Sequence, residues 1–477
     1  MDRPLRHHPP PTTDPLRRAA ESATAFLASV AERPVGLPVD LVALRRALGG
    51  PLPAHGEDAA DVVTHLADAA DPGIVTTAGP RYFGFVIGGS HPAALAADWL
   101  ASAWDQNACL YVMSPAAAVV EEVAAAWLVE LFGLPAGTSV GFTTGATMAS
   151  FTALAAARHA VLRAVGWDVE ENGLSGAPPV TVVIGDEAHV TILAALQMLG
   201  LGRGRVRRVA ADAQGRLIPD ALVAVLASVS GPTIVCAQAG NVNTGAFDPM
   251  PPIAAVVRAH GGWLHVDGAF GMWAAAAPSL RRHVDGLELA DSWTTDAHKY
   301  LNVPYDSGLV FVRDTRAHRT AMTLGASYYV ETGGGERDPY NWVPESSRRA
   351  RGFAIYAVLR ALGRDGVAEL VERCTRLARR IAEILAAAPG ACLLNEVVLN
   401  QVLVAFTPPA GVDPDAHTRA VIARVQADGT CWVGGTTWQG RAAMRISVSN
   451  WSTTDADVES SAAAILRCAA AAATLGH

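Results

Sequence analysis

Between about residues 80 and 320 the chain alternates short apolar runs with longer Ala-rich stretches, and this alternation restricts the fold more than any other feature. The runs VTVVIG (180–185), TIVCA (233–237), WLHVD (263–267) and GLVFV (308–312) lack polar alternation, so both faces of each are expected to be buried. Strands of that kind, separated by helices, predict an α/β fold with a mostly parallel central sheet flanked by helices. On either side the pattern changes. Residues 1–14 predict a disordered tail, and an amphipathic helix is expected from Pro15, with Leu16, Ala20, Ala23, Leu27 and Val30 at three- and four-residue steps. A second helical piece is expected near 59–69. The stretch 325–347, rich in Gly, Tyr and Pro, reads as a long mobile loop. Beyond it, helices near 352–388, near 415–427 and from about 454, with strands at 402–406 and 444–449, predict a smaller α+β unit.

A chain of 477 residues, 51% hydrophobic, is too long for one simple core and suits two or three domains. Its net charge of −8 gives no basic face for nucleic acid. The Pro-rich start lacks the apolar core of a signal peptide. The most apolar long stretch, 116–134, carries Glu121, Glu122 and Glu130, so it reads as a buried or amphipathic helix and not a membrane span. The six cysteines form no CxxC pair, which suits a reduced, cytoplasmic compartment. GLGRGR (200–205) lacks dinucleotide-loop spacing and reads as a turn, and Arg205, Arg207 and Arg208 read as a solvated face. No GxxxxGK[ST], GxSxG or HExxH motif is present, so nucleotide and metal chemistry are not expected.

One count redirects attention to chemistry. Of 37 basic residues a single one, Lys299, is lysine. Arginine stays protonated, whereas a lysine can lose its proton in a suitable pocket and act as a nucleophilic amine. Lys299 lies in DAHKYLNVPYDSG (296–308), just before an expected strand. Upstream, WLHVDGAFG ends a strand with Asp267, at the carboxyl edge where open α/β sheets bind ligands. TTGATMAS (143–150) puts small residues and hydroxyls at a helix start, where free N–H groups favour a phosphate. GDEAHVT (185–191) places His189 just past another strand. His265, two residues before Asp267, reads as interior packing. A phosphate cradle, a strand-end carboxylate, a histidine and one lysine match the needs of pyridoxal phosphate.

At TTGATMAS, GDEAHVT, GNVNTGAFDP, HVDGAF and ADSWTTDAHKYLNVPYDSG, in that order, the chain resembles the group II pyridoxal-phosphate-dependent amino-acid decarboxylases, relatives of the aromatic-amino-acid, tyrosine and glutamate decarboxylases. The resemblance implies a fold-type I, aspartate aminotransferase-like architecture. It also implies a homodimer with its site at the subunit interface. Residues 15–79 would form an N-terminal helical segment packing on the dimer partner, 80–350 the large cofactor-binding domain and 351–477 the small α+β domain. By the same resemblance Lys299 is the Schiff-base lysine, with His298 beside the cofactor phosphate. Asp267 pairs with the pyridinium nitrogen, Ala269 lies against the ring, and His189 stacks on the ring face. Gly145, Ala146 and Thr147 hold the phosphate, helped by Asp296. Asn243 stands where the family has a threonine near the cofactor's phenolic oxygen. Ser346 or Ser347 reaches the phosphate of the neighbouring subunit.

For the reaction, Arg441 and Arg445 sit where fold-type I enzymes often place a carboxylate-binding arginine; transaminases and decarboxylases share it. In the family a loop tyrosine protonates the carbon that has lost CO2, and SYYVETGGGERDPYNW offers Tyr328, favoured by register, and Tyr329. Relatives that oxidise the amine to an aldehyde change this tyrosine or the stacking histidine, so the pair Tyr328 and His189 favours simple decarboxylation. The expected reaction is an L-amino acid giving an amine and CO2; oxidative deamination, transamination and lyase chemistry are the alternatives, and a cofactor-binding or regulatory relative without turnover is a third reading that an intact Lys299, Asp267 and His189 set disfavours. PRYFGFVIGGSHP (80–92) resembles the substrate-pocket segment, with Tyr82, Phe83 and Phe85 as wall candidates and Asn107 nearby. Gly88, Gly89, Asn107 and Cys109 replace larger residues of aromatic decarboxylases, which predicts extra room for an aromatic or bulky substrate.

Overall fold

All four apolar runs are strands, and three less apolar segments complete their sheet. The computed structural model describes residues 14–323 and 336–474. The large sheet comprises β1 (Ser139–Thr143), β2 (Thr181–Gly185), β3 (Arg207–Val209), β4 (Thr233–Gln238), β5 (Trp263–Asp267), β6 (Ser292–Asp296) and β7 (Gly308–Val312), in the order β1-β7-β6-β5-β4-β2-β3. Strands β3, β2, β4, β5 and β6 run parallel, whereas β7 is antiparallel to both β6 and β1. Helices α1 (Asp14–Ser29), α2 (Leu41–Leu48), α3 (Ala59–Ala70), α4 (Pro92–Trp104) and α5 (Pro115–Phe132) precede β1. The crossovers carry α6 (Ala146–Arg163), α7 (Val169–Asn172), α8 (Val190–Met198), α9 (Pro219–Leu226) and α10 (Met250–His260), and α11 (Thr315–Met322) follows β7.

The strands are apolar on both faces because both faces are covered. Val182, Ile184, Ile234, Cys236, Val310 and Val312 pack with α6, α8 and α11. Their alternates Val183, Val235, Leu309 and Phe311 belong to the core on the opposite side, with α5, α9 and α10. Strand β6, SWTTD, is buried along its whole length despite its polarity. Neighbouring strands partner its first residue: Ser292 Oγ accepts from Trp263 Nε1 (2.9 Å) and lies 3.0 Å from His265 Nδ1. That contact makes His265 a packing residue, and burial lowers its pKa to about 3. Arg207 and Arg208 are exposed on β3, the sheet's short edge strand, where charge discourages further pairing.

The C-terminal part is built on α12 (Gly352–Ala386), which turns at Gly363 (φ 63°), a left-handed position suited to glycine. Strands β8 (Ala391–Leu393), β9 (Gln401–Phe406), β10 (Gly434–Trp438) and β11 (Arg441–Ser447) form an antiparallel sheet in the order β10-β11-β9-β8. Helices α13 (Pro414–Asp428) and α14 (Asp455–Thr474) complete it. Val402, Val404, Met444 and Ile446 join the same core as Val235 and Phe311, so apolar packing is continuous between the two sheets. Among the described residues no helix is long and apolar enough to cross a membrane.

Candidate active site

Lys299 sits in the turn between β6 and β7, and two contacts fix that turn. Gly88 crosses it so closely that a Cβ there would stand 2.0 Å from the Lys299 carbonyl oxygen. Asn302, buried and left-handed (φ 54°), accepts from Trp451 N–H (3.0 Å) and Gly89 N–H (2.5 Å) through Oδ1. Its amide donates to Tyr300 O (2.7 Å) and Ser449 O (3.0 Å). The turn is thereby tied to residues 88–91 on one side and 449–451 on the other. The ammonium of Lys299 pairs with Asp296 Oδ2 at 2.9 Å and lies 5.8 Å from the Phe270 ring centre.

Three further strand ends converge here. At the end of β1, Gly145 precedes the first turn of α6, where N–H groups lack helical acceptors. Gly308 passes over it, and a Cβ on Gly308 would be 2.4 Å from Gly145 Cα. Ala146 N–H donates to Asp296 Oδ1 at 2.6 Å. At the end of β5 the Asp267 carboxylate is buried and accepts from Ala269 N–H (3.1 Å). Past β2, His189 caps α8. Its Nδ1 accepts from Thr191 N–H (3.4 Å) and faces Thr191 Oγ1 (2.7 Å), which places the ring proton on Nε2. Burial lowers the His189 pKa; Asp267 and Asp296 oppose that shift, while Lys299 and Arg445 add to it. His298 is fixed in the same tautomer because its Nδ1 accepts Ser307 N–H (3.1 Å), and burial lowers its pKa too.

The small sheet closes the other side. Thr436 Oγ1 donates to Asn243 Oδ1 (2.9 Å), and Arg445 Nη1 donates to Val242 O (3.1 Å). Arg441, four residues earlier on β11, is exposed. Tyr82 stacks on Trp432 (5.1 Å, 11°), and Phe85 stacks on the same indole (5.4 Å, 28°). Tyr305 stacks on His298 at 4.3 Å.

Several expectations change. Phe83 is 1% exposed within the main core, so it supports the fold and lines no pocket. The extra room expected at Gly88 and Gly89 is absent: the Lys299 backbone fills the first, and Asn450 Nδ2 would be 2.6 Å from a Cβ on the second. Cys109 packs with Leu110 and Tyr340, and Asn107 Oδ1 accepts Arg348 N–H (3.2 Å), so both hold loops together. Asp296 reaches the phosphate cradle, but as an acceptor already occupied by Ala146 and Lys299. Ser347 is exposed. Tyr328 and Tyr329 lie outside the described residues. Trp432, Tyr305 and Asn302 were not singled out by sequence pattern. Only Asn302, in a turn before Pro304, carries a local signal, since asparagine tolerates left-handed backbone.

The donor set suits pyridoxal phosphate. Gly145, Ala146 and Thr147 open a helix whose N–H groups would suit the phosphate. Asp267 would offer a carboxylate to the pyridine nitrogen, His189 an N–H-bearing ring, and Lys299 the amine. Comparison with known proteins agrees. Residues 43–407 match the pyridoxal-dependent decarboxylase conserved domain. The chain is 28% identical to tryptophan decarboxylase 1 of Oryza sativa subsp. japonica over 466 residues, 91% of this chain and 89% of that protein. It is 33% identical to L-2,4-diaminobutyrate decarboxylase of Rhizobium meliloti, over 75% of this chain and 71% of the relative. It is 30% identical to the mouse acidic amino acid decarboxylase GADL1, over 70% and 62% respectively. The fold superposes on the Oryza sativa tryptophan decarboxylase solved with cofactor and tryptamine (TM-score 0.90, 24% identity, 98% and 100% of the two chains). It also superposes on Rhodiola rosea 4-hydroxyphenylacetaldehyde synthase (TM-score 0.85, 22% identity, 96% and 97%). The chain belongs to the pyridoxal-dependent decarboxylase family and is a pyridoxal-phosphate-dependent carboxy-lyase acting on an amino acid.

Proposed function

We propose that this carboxy-lyase converts an aromatic or similarly bulky L-amino acid to its amine and CO2, as a homodimer. The stack of Tyr82, Trp432 and Phe85 carries the substrate class. Trp432 lies across the backbone at Gly84, where a Cβ would be 2.2 Å from its ring, and Phe85 remains 60% exposed beside it. Such a wall offers π-faces to a flat side chain. An acidic substrate would need a cation for its second carboxylate. Among the described residues, the charges that act on His189 are those of Asp267, Asp296, Lys299 and Arg445. With Lys299 paired to Asp296, Arg445 would serve the α-carboxylate.

When bound, the cofactor supplies an electron sink for the bond broken at Cα. Asp267 would keep a proton on the pyridine nitrogen. His189, held neutral with its proton on Nε2, would stack on the ring and orient the substrate carboxylate. A substrate side chain laid against the aromatic wall would displace water there, which would favour loss of a charged carboxylate. Tyr328 would deliver the proton to Cα. The apolar face of residues 14–119 supports the dimer: Leu16, Leu41, Val42, Trp99 and Trp104 are all exposed on one chain. Ser347 would meet the second subunit's cofactor.

The test is incubation of the holoenzyme with tryptophan, tyrosine, phenylalanine, aspartate, cysteine sulfinate and 2,4-diaminobutyrate, recording CO2, O2 and products together. Amine and CO2 from the aromatic substrates without O2 loss is the expected result. Preference for aspartate or cysteine sulfinate would overturn the substrate class. O2 uptake with aldehyde and ammonia would overturn the non-oxidative outcome.

A further inference from the structure

Asp296 holds two groups that the cofactor also needs. Buried at the end of β6, its Oδ1 takes the Ala146 N–H of the phosphate cradle (2.6 Å) and its Oδ2 pairs with Lys299 Nζ (2.9 Å). Both contacts conflict with a loaded site. An ammonium has no lone pair with which to attack the cofactor's aldehyde. An ionised carboxylate and a phosphate both only accept hydrogen bonds, and two anions side by side in a buried pocket repel strongly.

We propose that Asp296 is the internal proton acceptor that frees the Lys299 amine as the phosphate arrives, and that the carboxylic acid so formed donates to a phosphate oxygen. One proton moves along the existing hydrogen bond from Lys299 Nζ to Asp296 Oδ2. The N–H bond of Lys299 breaks with its electron pair left on nitrogen, and an O–H bond forms on Asp296. The pair keeps one proton in total, the amine becomes nucleophilic, and the anion–anion conflict disappears. The proposal rests on the cofactor assignment and not on the substrate class.

The neighbours leave Asp296 as the acceptor. His298 on its own turn, 3.5 Å away through Nε2, already carries its proton there, and burial disfavours a second one. His189, at the start of α8, has its Nδ1 engaged by Thr191 and is likewise kept neutral by burial. Tyr305 feels the Asp296 charge, but its phenol is held protonated. Asp267 on β5 is reserved for the ring nitrogen, Asp306 faces His298 and pairs with Arg351, and Arg445 on β11 is a cation.

Because the proton stays within the pair, capture of the cofactor should not depend on pH while the pair carries one proton. The experiment follows pyridoxal 5'-phosphate capture by cofactor-stripped, full-length protein, read as visible absorbance between about pH 6.5 and 8.5. For the wild type the rate is expected to change less than about twofold. In Asp296→Asn the amide can donate to phosphate but cannot take the proton. Lys299 must then lose it to solvent, and the rate is expected to rise about tenfold per pH unit. Asp296→Ser, which also lacks the acceptor, keeps the test open if the amide variant does not fold. A wild-type profile as steep as the variants', or variant profiles as flat as the wild type's, overturns the proposal. No amino acid is present, so failure of the substrate reading leaves the result intact, whereas absence of capture by the wild type would overturn the cofactor assignment with it.

Discussion

The carboxyl edge of the large sheet and the N-terminal helices use apolar residues in opposite ways. Helix α6, which starts the phosphate cradle, buries twelve of its eighteen residues. Helices α1, α2 and α3 bury one residue between them, Ala60, while Leu16, Leu41 and Val42 stay exposed. At the sheet edge Asp267, Asp296, Lys299 and His189 are each fixed by contacts along the same polypeptide. The N-terminal helices have good periodicity but, among the described residues, leave much of it exposed. Apolar pattern therefore marks two different things here, an interior already filled and side chains left open to solvent on this chain.

The sharpest way to break this comparison is at the sheet edge. Lys299→Ala should lower turnover by at least about four orders of magnitude, with loss of the cofactor's visible absorbance. Absorbance that persisted in the variant would remove the lysine from the site. Next, Asp248 is buried and accepts Leu217 N–H and Gln238 N–H, both at 2.8 Å, even though burial raises its carboxyl pKa to about 7. Asp248→Ala would orphan both donors and should cost about 2–5 kcal/mol in denaturant unfolding. A loss under 1 kcal/mol would mean that water or a shifted loop replaces the carboxylate.

Acid sensitivity is the third expectation. Burial holds His265 and His318 at about 3, below the unfolded value of 6.5. Folded chains therefore bind fewer protons than unfolded ones between those limits. The stability is full above about pH 6.5 and is lost as pH falls towards 3, by about 2 kcal/mol for each ring at pH 5. His318→Gln should flatten the pH dependence of unfolding by that amount, and an unchanged slope would show that His318 titrates normally. The smallest effect is expected at the N-terminal face. Leu41→Glu with Val42→Glu should alter the unfolding of the isolated chain by no more than about 0.5 kcal/mol. Sedimentation of dilute protein should nonetheless shift from dimer to single chain. Unchanged sedimentation would move the subunit interface away from α2.

Strands β2, β4, β5 and β7 were legible because both faces are apolar, and the five motifs contain the helix start, carboxylate, histidine and lysine that the fold brings to one sheet edge. Strand β6 was not. Its polar sequence SWTTD carries no apolar run, yet all five residues are buried, Ser292 against Trp263 and Asp296 against Ala146 through contacts that no local pattern encodes. Phe83 and Phe85 look equivalent in YFGF, but one enters the core and the other, at φ 56°, turns outward against Trp432. That indole lies some 350 residues away in sequence, so only folding reveals the wall. Gly88 and Gly89 suggested empty space because a missing side chain is visible in sequence and an approaching backbone is not.

Strand β7 enters the sheet between β6 and β1, antiparallel to both, and Gly308 at its start presses on Gly145. The phosphate cradle and the reactive lysine thus become neighbours only after residue 312 is in place. A chain that ended before Gly308 would leave β6 without its antiparallel neighbour and Gly145 without the backbone that presses on it, so the groups at the ends of β1 and β6 would lose their fixed spacing.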